Sequence, residues 1–382
     1  MNDVRLLNIE STTRCNFTCD FCVGRKLPQA DLAIEILDRA LIAFPGVEHL
    51  DATGEGEPLL HPRFFEILSI ARTKGLRTHF YSNGSLFTDS TIDKILDAAV
   101  ETIFISIESA DPIEYSRLRG GSLQKLVAGI SRLISARDAR HLTRPSVGFS
   151  VTVLRTTQHQ LKAIVELYIQ LRMDGGMVMQ SLNRMPGYSR YYNGTLQHEM
   201  LSANEEQELI QMAKADANIG PLLVPGGGRG GFAEELVSGY DPIRTGCPWL
   251  ERAAFVNQDG YVMPCCMVKD TTRSAFGLLG RESPEEITGA REALRRELNT
   301  GRIPKCCVGC DIADEVAQAN IVASTEIFER ELSEVRRNNA VIAANIENVR
   351  ARALEFHASW SWKVSAPLRW CYKQILRFRG QP

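Results

Sequence analysis

The stretch “CNFTCDFC” occupies residues 15–22 and places three cysteines, Cys15, Cys19 and Cys22, close together in the chain. It follows an apolar run, “VRLLNI” (residues 4–9), which predicts a β-strand ending shortly before the cysteines begin. Three kinds of site use cysteines at such short spacing: a disulfide framework, a zinc site and an iron–sulfur cluster site. The composition of the chain and its other cysteines help to decide between them.

The 382 residues have the composition of an ordinary soluble globular protein, with 44% hydrophobic and 24% charged residues. The formal net charge is −2, so no overall positive field indicates a nucleic acid partner. The N-terminal residues lack the layout of a secretory signal, and no apolar run approaches the roughly 18 residues that span a bilayer. We therefore expect a cytoplasmic protein, in which clustered cysteines bind metal rather than form disulfides.

The first cysteine group fits an iron–sulfur cluster better than structural zinc. Zinc takes four ligands, usually as two close pairs, whereas this group offers three thiols and the nearest histidines, His49 and His61, are far along the chain. A cuboidal cluster held by three thiolates keeps one iron open for a substrate or cofactor. The end of a strand is also where α/β folds bind their ligands.

The pattern C-x3-C-x-Phe-C, with Phe21 before the last cysteine, resembles the signature of the radical S-adenosylmethionine (SAM) superfamily. In that family three cysteines hold a [4Fe–4S] cluster, and the methionine moiety of SAM chelates its open iron. Reduction of the cluster cleaves SAM to methionine and a 5′-deoxyadenosyl radical, which abstracts hydrogen from the substrate. The resemblance implies a SAM-binding [4Fe–4S] cluster, SAM itself and an electron donor such as flavodoxin or ferredoxin.

Three further stretches resemble motifs of this family. “GEGEP” (residues 54–58) is similar to its Gly-Gly-Glu-Pro motif, which holds the SAM amine, with Glu55 in place of the first glycine. We expect glycine to let the backbone approach a ligand here; the alternative is a turn that opens a helix at Pro58. “SNG” (residues 82–84) resembles the segment after the third strand. Ser106 and Glu108 resemble a Ser-x-Asp pair near the ribose and carboxylate, and Arg119 matches an arginine that caps the SAM carboxylate. The residues implied in cofactor binding are Phe21, Gly56, Glu57, Ser82, Asn83, Ser106, Glu108 and Arg119.

Six strand-like runs alternate with five helix-like runs over residues 4–182, which predicts an α/β fold with a parallel sheet. Six such strands suit the partial (β/α)6 TIM-type barrel of the family that the motifs resemble.

A second group of cysteines lies behind this region. “FVNQDGYVMPC” (residues 255–265) predicts a β-hairpin that turns at Asp-Gly, and “IPKCCVGC” (residues 303–310) contains a C-x2-C pair. The arrangement resembles a SPASM/twitch extension and implies one auxiliary [4Fe–4S] cluster, held by Cys247, Cys265, Cys307 and Cys310. Structural zinc is the alternative, and a swap to the adjacent Cys266 or Cys306 stays open.

The C-terminal part differs in character. Apolar residues recur every three or four positions from Phe328 to Phe356, with Asn339 at one seam position, as in a long amphipathic helix or a coiled coil with another copy or another protein. The tail after it holds three of the four tryptophans and no acidic residue, which predicts either a solvated basic segment or peripheral membrane contact at the inner face.

We thus expect five regions: a radical SAM partial barrel (1–185), a connector with substrate-facing loops (186–246), an auxiliary-cluster domain (247–320), a long helix (321–356) and a basic Trp-rich tail (357–382). The tail also resembles those of some bacterial surface-glycan biosynthesis proteins, so we expect a sugar or glycan precursor as the substrate. The alternatives are a maturase of a ribosomally made peptide and a zinc-stabilised interaction protein without enzyme activity.

Overall fold

The computed structural model describes residues 4–192, 194–224 and 246–378. The chain divides into two units, the first reaching Asn320 and the second beginning at Ile321. The connector predicted at residues 186–246 lies partly outside the described residues, and so do its glycine-rich segment and the end of the tail.

The first unit is built on one open sheet of nine strands in the order β6-β5-β4-β3-β2-β1-β7-β8-β9. Neighbours from β6 through to β7 pair in parallel, and β7, β8 and β9 pair antiparallel. The strands are β1 (Leu6–Ile9), β2 (His49–Asp51), β3 (Arg77–Ser82), β4 (Thr102–Ser106), β5 (Ser146–Val153), β6 (Met177–Ser181), β7 (Ala253–Val256), β8 (Tyr261–Met263) and β9 (Gly277–Leu278). The prediction of an α/β fold with a partial, six-stranded parallel barrel is confirmed.

Helices fill the connections between the parallel strands and cover the sheet. They are α1 (Ile34–Ala43), α2 (Phe64–Thr73), α3 (Asp89–Asp97), α4 (Pro112–Arg119), α5 (Leu123–Ala139) and α6 (Leu161–Gln170). Their apolar faces pack on fully buried strand residues; Phe64 of α2, for example, meets Phe80 of β3 edge to face, with ring centroids 5.1 Å apart. This core fixes the carboxyl ends of the strands, where the loops that carry the motifs begin.

Shorter helices and turns complete the first unit. The helices are α7 (Pro186–Ser189), α8 (Gly194–Gln197), α9 (Ala203–Ala215), α10 (Pro248–Glu251), α11 (Thr271–Ser274) and α12 (Pro284–Asn299). Single turns of 3-10 helix occur at Val23–Lys26, Pro58–Leu60, Gln158–Gln160, Gly220–Leu222 and Lys305–Cys307. Pro58 thus opens a separate turn, and α2 begins only at Phe64.

The predicted hairpin is present, and it turns at Gly260, whose φ of +90° lies in a region that glycine adopts without a steric penalty. Its first strand, β7, does not stand apart from the barrel. It pairs in parallel with β1, in the register Leu6 to Ala253, and so extends the barrel sheet at the edge opposite β6. The sequence did not predict this pairing because the two strands are distant in the chain.

A long helix, α13 (Asp311–Ala358), begins in the first unit and continues into the second. It starts ten residues before the predicted 321–356 segment, immediately after Cys310. The apolar residues of the predicted heptad stripe, including Phe328, Ile342 and Val349, are exposed. Coverage of this stripe by a second helix stays a prediction.

Two further helices, α14 (Trp360–Val364) and α15 (Ala366–Phe378), complete the second unit. Trp362 packs on Phe356 at a centroid distance of 4.9 Å, and the guanidinium carbon of Arg369 lies 3.5 Å from the centre of the Trp362 ring. None of the helices in the described ranges is both long enough and apolar enough to cross a membrane.

Candidate active site and auxiliary cysteine site

A cleft lined by both polar and apolar side chains opens at the carboxyl ends of the parallel strands. The space in it, counted together with the open solvent at its mouth, is about 1000 Å³. Of the residues predicted to bind cluster and cofactor there, those that line it are Cys15, Cys19, Phe21, Cys22, Gly56, Glu57, Ser82, Asn83, Ser106 and Arg119. The chain therefore brings the four motifs together; the roles of the individual residues stay predictions.

The three cysteines of the first group face this cleft from the loop after β1. Asn83 Nδ2 donates to Cys15 Sγ over 3.8 Å, the Cys22 thiol donates to the Glu55 carbonyl over 3.7 Å, and Cys19 Sγ lies 3.9 Å from Arg119 Nη1. Burial raises the pKa of Cys19 to about 11 and that of Cys22 to about 12, so the thiols alone are neutral. Bound metal reverses this effect because coordination deprotonates a thiol outright. Three soft donors around an open cleft fit a cubane with one iron left for another ligand.

Gly56 joins two backbone segments of the site, and its predicted contact with the cofactor stays a prediction. Its N–H donates to the Thr12 carbonyl over 3.1 Å, and the next N–H, of Glu57, donates to the Arg14 carbonyl over 2.8 Å. A Cβ at position 56 would lie 2.3 Å from the Arg14 oxygen. Glycine is needed here because the turn after β2 packs directly against the cysteine loop, backbone on backbone.

Glu57 is buried at the base of the cleft with its carboxylate already oriented. Asn83 N donates to Oε2 over 2.7 Å, Ser82 Oγ to Oε1 over 2.9 Å and Leu59 N to Oε1 over 3.3 Å. Burial raises the pKa of Glu57 to about 7 despite these hydrogen bonds. An ammonium group placed beside Glu57 would relieve that penalty by favouring the ionised form.

Glu108 and Arg119 form a buried pair with each other, and their predicted contacts with SAM stay predictions. Glu108 does not line the cleft; it is buried beyond the end of β4 and pairs with Arg119 through both carboxylate oxygens, Oε1 accepting from Nη2 over 2.7 Å. The Arg119 fork thus holds a carboxylate of the chain itself. The guanidinium carbon also lies 5.7 Å from the centre of the Phe21 ring, a cation–π contact that stabilises the cysteine loop.

Sequence reasoning missed a buried ion pair on the cleft wall. Lys269 Nζ lies 2.6 Å from Glu55 Oε1, and the Tyr188 hydroxyl donates to the same oxygen over 3.2 Å. Burial lowers the pKa of Lys269, but the carboxylates of Glu55 and Glu10 outweigh it and raise that pKa above its usual value. The signal in the sequence was Glu55 itself, which stands where the motif has glycine.

The auxiliary cysteines converge beneath the hairpin. Burial raises the pKa of Cys265 far above its usual value, and the negative charges of Cys266, Cys310 and Cys247 raise it further. The pKa of Cys307 is raised as well, by its contact with Cys306 at 3.8 Å, by burial and by the charges of Cys265 and Cys247. Cys247 and Cys310 border both the apolar cluster that Cys265 borders and the one that Cys307 borders, so the four predicted ligands lie in one region.

Cys266 borders the same apolar cluster as Cys265 but has different electrostatic neighbours. After burial, which raises the pKa of Cys266 to about 12, its strongest electrostatic neighbours are Lys269 of its own segment and Glu55 and Asp51 of the barrel. This placement favours Cys265 over Cys266 as the cluster ligand. Among the described residues no three His, Cys, Asp or Glu side chains meet at one single-ion point; the ligands of a cubane each bind a different iron and need not do so.

Comparison with known proteins adds two family matches in the predicted order. The model of the radical SAM superfamily matches residues 9–168, and that of the SPASM iron–sulfur cluster-binding domain matches residues 247–311. The chain contains a radical SAM domain followed by a SPASM domain. These two domains imply the SAM-binding [4Fe–4S] cluster, an auxiliary cluster and SAM as cofactors, to which the cysteines described above provide fitting donors.

Individual relatives span different lengths of this radical SAM protein. It is 26% identical, over 91% of the relative's length, to a tungsten-containing aldehyde ferredoxin oxidoreductase cofactor-modifying protein of Pyrococcus furiosus. It is 32% identical to an AdoMet-dependent heme synthase of Methanosarcina barkeri, of which it covers 40%.

Two solved structures show the same fold. Streptococcus suis SuiB bound to S-adenosylmethionine matches with a TM-score of 0.58 at 14% identity, over 82% of this chain and 72% of that one. Native anSMEcpe with bound AdoMet and a Cp18Cys peptide matches with a TM-score of 0.55 at 14% identity, over 87% and 99%.

The raised pKa of Glu57 predicts a pH-dependent stability. A carboxyl with a pKa of about 7 in the folded chain and about 4.5 in the unfolded chain destabilises the fold as pH rises from 4.5 to 7. Glu57→Gln should remove about 3 kcal/mol of that decline in the free energy of unfolding, measured by urea titration of cluster-free protein across this pH range. Glu285→Gln, at an exposed glutamate, is the control, and equal slopes for both variants would contradict the assignment.

The buried ion pair predicts a strong coupling energy. Lys269→Met leaves Glu55 unpaired and should lower the free energy of unfolding by about 3–5 kcal/mol, whereas the double variant Glu55→Gln/Lys269→Met should recover most of it. Urea unfolding measures both, with Lys125→Met as an exposed-lysine control. A loss below about 1 kcal/mol in Lys269→Met would show that the pair is not buried as described.

The auxiliary ligand set predicts iron contents. Anaerobically reconstituted protein should hold about eight irons per chain, and Cys310→Ala about four, because one cubane loses a ligand. Cys266→Ala should keep about eight, since that thiol lies beside the carboxylates of Glu55 and Asp51, which disfavour a thiolate there. The iron content of each variant is measured after gel filtration. If Cys266→Ala loses as much iron as Cys265→Ala, the choice of Cys265 over Cys266 as the ligand is wrong.

Proposed function

We propose that this radical SAM enzyme oxidises its substrate by two electrons, one removed with a hydrogen atom in the cleft and the other passed to the auxiliary cluster. The observation that carries the proposal is the position of Met267. It lies two residues after Cys265, yet it lines the same cleft as Cys15, Cys19 and Cys22. The segment that would hold the auxiliary cluster is thus part of the wall facing the substrate.

When bound, the first cluster supplies the electron that cleaves SAM to methionine and a 5′-deoxyadenosyl radical. The residues of the chain bind and orient. Cys15, Cys19 and Cys22 would each take one iron, and Glu57 would accept the ammonium group of SAM with its fixed carboxylate. Ser82 and Asn83 hold that carboxylate in place, and Ser106 offers its hydroxyl to the cleft.

A two-electron oxidation requires an acceptor for the second electron of the substrate. Hydrogen abstraction converts the radical to 5′-deoxyadenosine and leaves a carbon radical on the substrate. Loss of one further electron and one proton would complete a two-electron oxidation, and Cys247, Cys265, Cys307 and Cys310 would hold the cluster that accepts this electron. A cluster with four protein ligands has no iron open to the substrate, so electron transfer is the role that such a site can serve.

The substrate class stays a prediction: a sugar or glycan precursor, with a ribosomally made peptide as the alternative. Neither the structure nor the comparisons support the glycan over the peptide. The cleft wall offers the edge-to-face pair Tyr188 and Tyr192 and the amides of Gln180 and Asn183, groups that suit a hydroxyl- or amide-rich ligand. Candidates of both classes can be ranked by how far each raises the rate of 5′-deoxyadenosine formation.

The cleavage reaction is the direct test of the enzyme activity. Reconstituted protein reduced with dithionite in the presence of SAM should form 5′-deoxyadenosine and methionine, quantified by mass spectrometry. Cys22→Ala should lose this activity by at least a hundredfold, because the first cluster loses a ligand. Cys371→Ala, at an exposed cysteine of the tail, should retain it.

Cys310→Ala separates the cleavage of SAM at the first cluster from the acceptance of the substrate electron by the auxiliary cluster. It should still form 5′-deoxyadenosine within a few-fold of the native rate but should not release oxidised substrate. Undiminished 5′-deoxyadenosine formation by Cys22→Ala would contradict the proposed site, and full substrate oxidation by Cys310→Ala would contradict the electron acceptor alone.

A further inference from the structure

Helix α15 of the second unit presents an exposed apolar face. Leu368, Tyr372, Ile375 and Phe378 recur at intervals of three and four residues, so they lie on one side of the helix. All four are exposed, Leu368 by 73% and Phe378 by 93%. A soluble helix normally turns such a face toward a core, and an exposed face of this kind marks an interaction surface.

The charged residues of α15 lie on the other side and are all basic. Lys373 and Arg377 project from the face opposite to Ile375, and Arg369 stands at its edge against Trp362. No acidic residue follows Glu355 in the sequence. The partner of this helix must therefore offer an apolar surface to one face of the helix and negative charge to the basic residues on the other.

Helix α15 is too short to span a bilayer. Thirteen residues give a helix of about 20 Å, shorter than the roughly 30 Å of a bilayer core. A basic helix of this length lies in the plane of a membrane interface, with its apolar face in the acyl boundary and its basic residues at the lipid headgroups. Trp360, 82% exposed just before it, is an aromatic residue of the kind found at that level.

We propose that α15 binds the surface of an anionic membrane and holds this enzyme there as a peripheral protein. Anionic lipid offers an apolar layer for the four side chains and negative charge for the basic residues near the surface. A second copy of α15 would bring the same positive charge and no negative one. The proposal is independent of the reaction in the cleft.

Vesicle co-sedimentation of the full, reconstituted chain tests it. The protein should pellet with vesicles of phosphatidylcholine and phosphatidylglycerol (2:1) at low salt, and at least tenfold less with phosphatidylcholine alone. Binding should weaken as salt is raised, because exposed charges are screened.

Two pairs of variants separate the contributions. Leu368→Ser/Ile375→Ser should lower the partition coefficient about tenfold or more, whereas Ile42→Ser/Ile113→Ser, at exposed isoleucines of the first unit, should leave it unchanged. Lys373→Glu/Arg377→Glu should abolish the preference for anionic vesicles, and Lys125→Glu/Lys162→Glu should not.

Absence of sedimentation with either vesicle would overturn the proposal, as would an equal loss in the control variants. If the native chain does not bind vesicles but self-associates, and Leu368→Ser/Ile375→Ser prevents this self-association, the apolar face binds a protein and the membrane proposal is wrong. 5′-Deoxyadenosine formation, which should be unchanged in all tail variants, shows that a loss of binding is not a loss of the folded enzyme.

Discussion

The site depends on the packing of two backbone segments against each other. The cysteine loop after β1 and the turn after β2 are joined by the hydrogen bonds from Gly56 to Thr12 and from Glu57 to Arg14. Because position 56 is glycine, the two chains approach within a distance that no side chain would allow. This contact brings the three thiols and the Glu57 carboxylate to one cleft, where the other residues predicted to bind the cofactor also lie, Glu108 excepted.

The auxiliary region is tied to this contact at two points. Strand β7 adds to the barrel sheet beside β1, and Lys269 reaches from the auxiliary segment to Glu55 on the turn. Both ties end beside the loop that carries the cysteines, so a displacement of the auxiliary segment would move the cleft wall. A buried ion pair is weak evidence for stability but constrains geometry, since a shift of either partner leaves a charge unpaired. The pair thus holds the auxiliary cysteine segment against the substrate cleft.

The sequence predicted those features that depend on residues close together in the chain, namely the strands, the helices and the short motifs. The alternation of apolar runs predicted the six strands β1 to β6 and the parallel sheet that they form. Motifs of a few residues located most of the cleft wall for the same reason. What the sequence did not reveal are contacts between distant segments: β7 with β1, Lys269 with Glu55 and Glu108 with Arg119. A guanidinium can pair with any carboxylate within reach, and only the folded chain shows that Arg119 pairs with Glu108.

The central claim is that Cys15, Cys19 and Cys22 leave one iron open and that SAM binds it. Electron–nuclear double resonance of the reduced protein with SAM labelled with ¹⁷O in its carboxylate measures this contact directly. A hyperfine coupling from ¹⁷O in the spectrum of the first cluster, observed in Cys310→Ala so that the auxiliary cluster does not contribute, is the predicted result. A cluster with full iron content and no coupling to labelled SAM would contradict the claim.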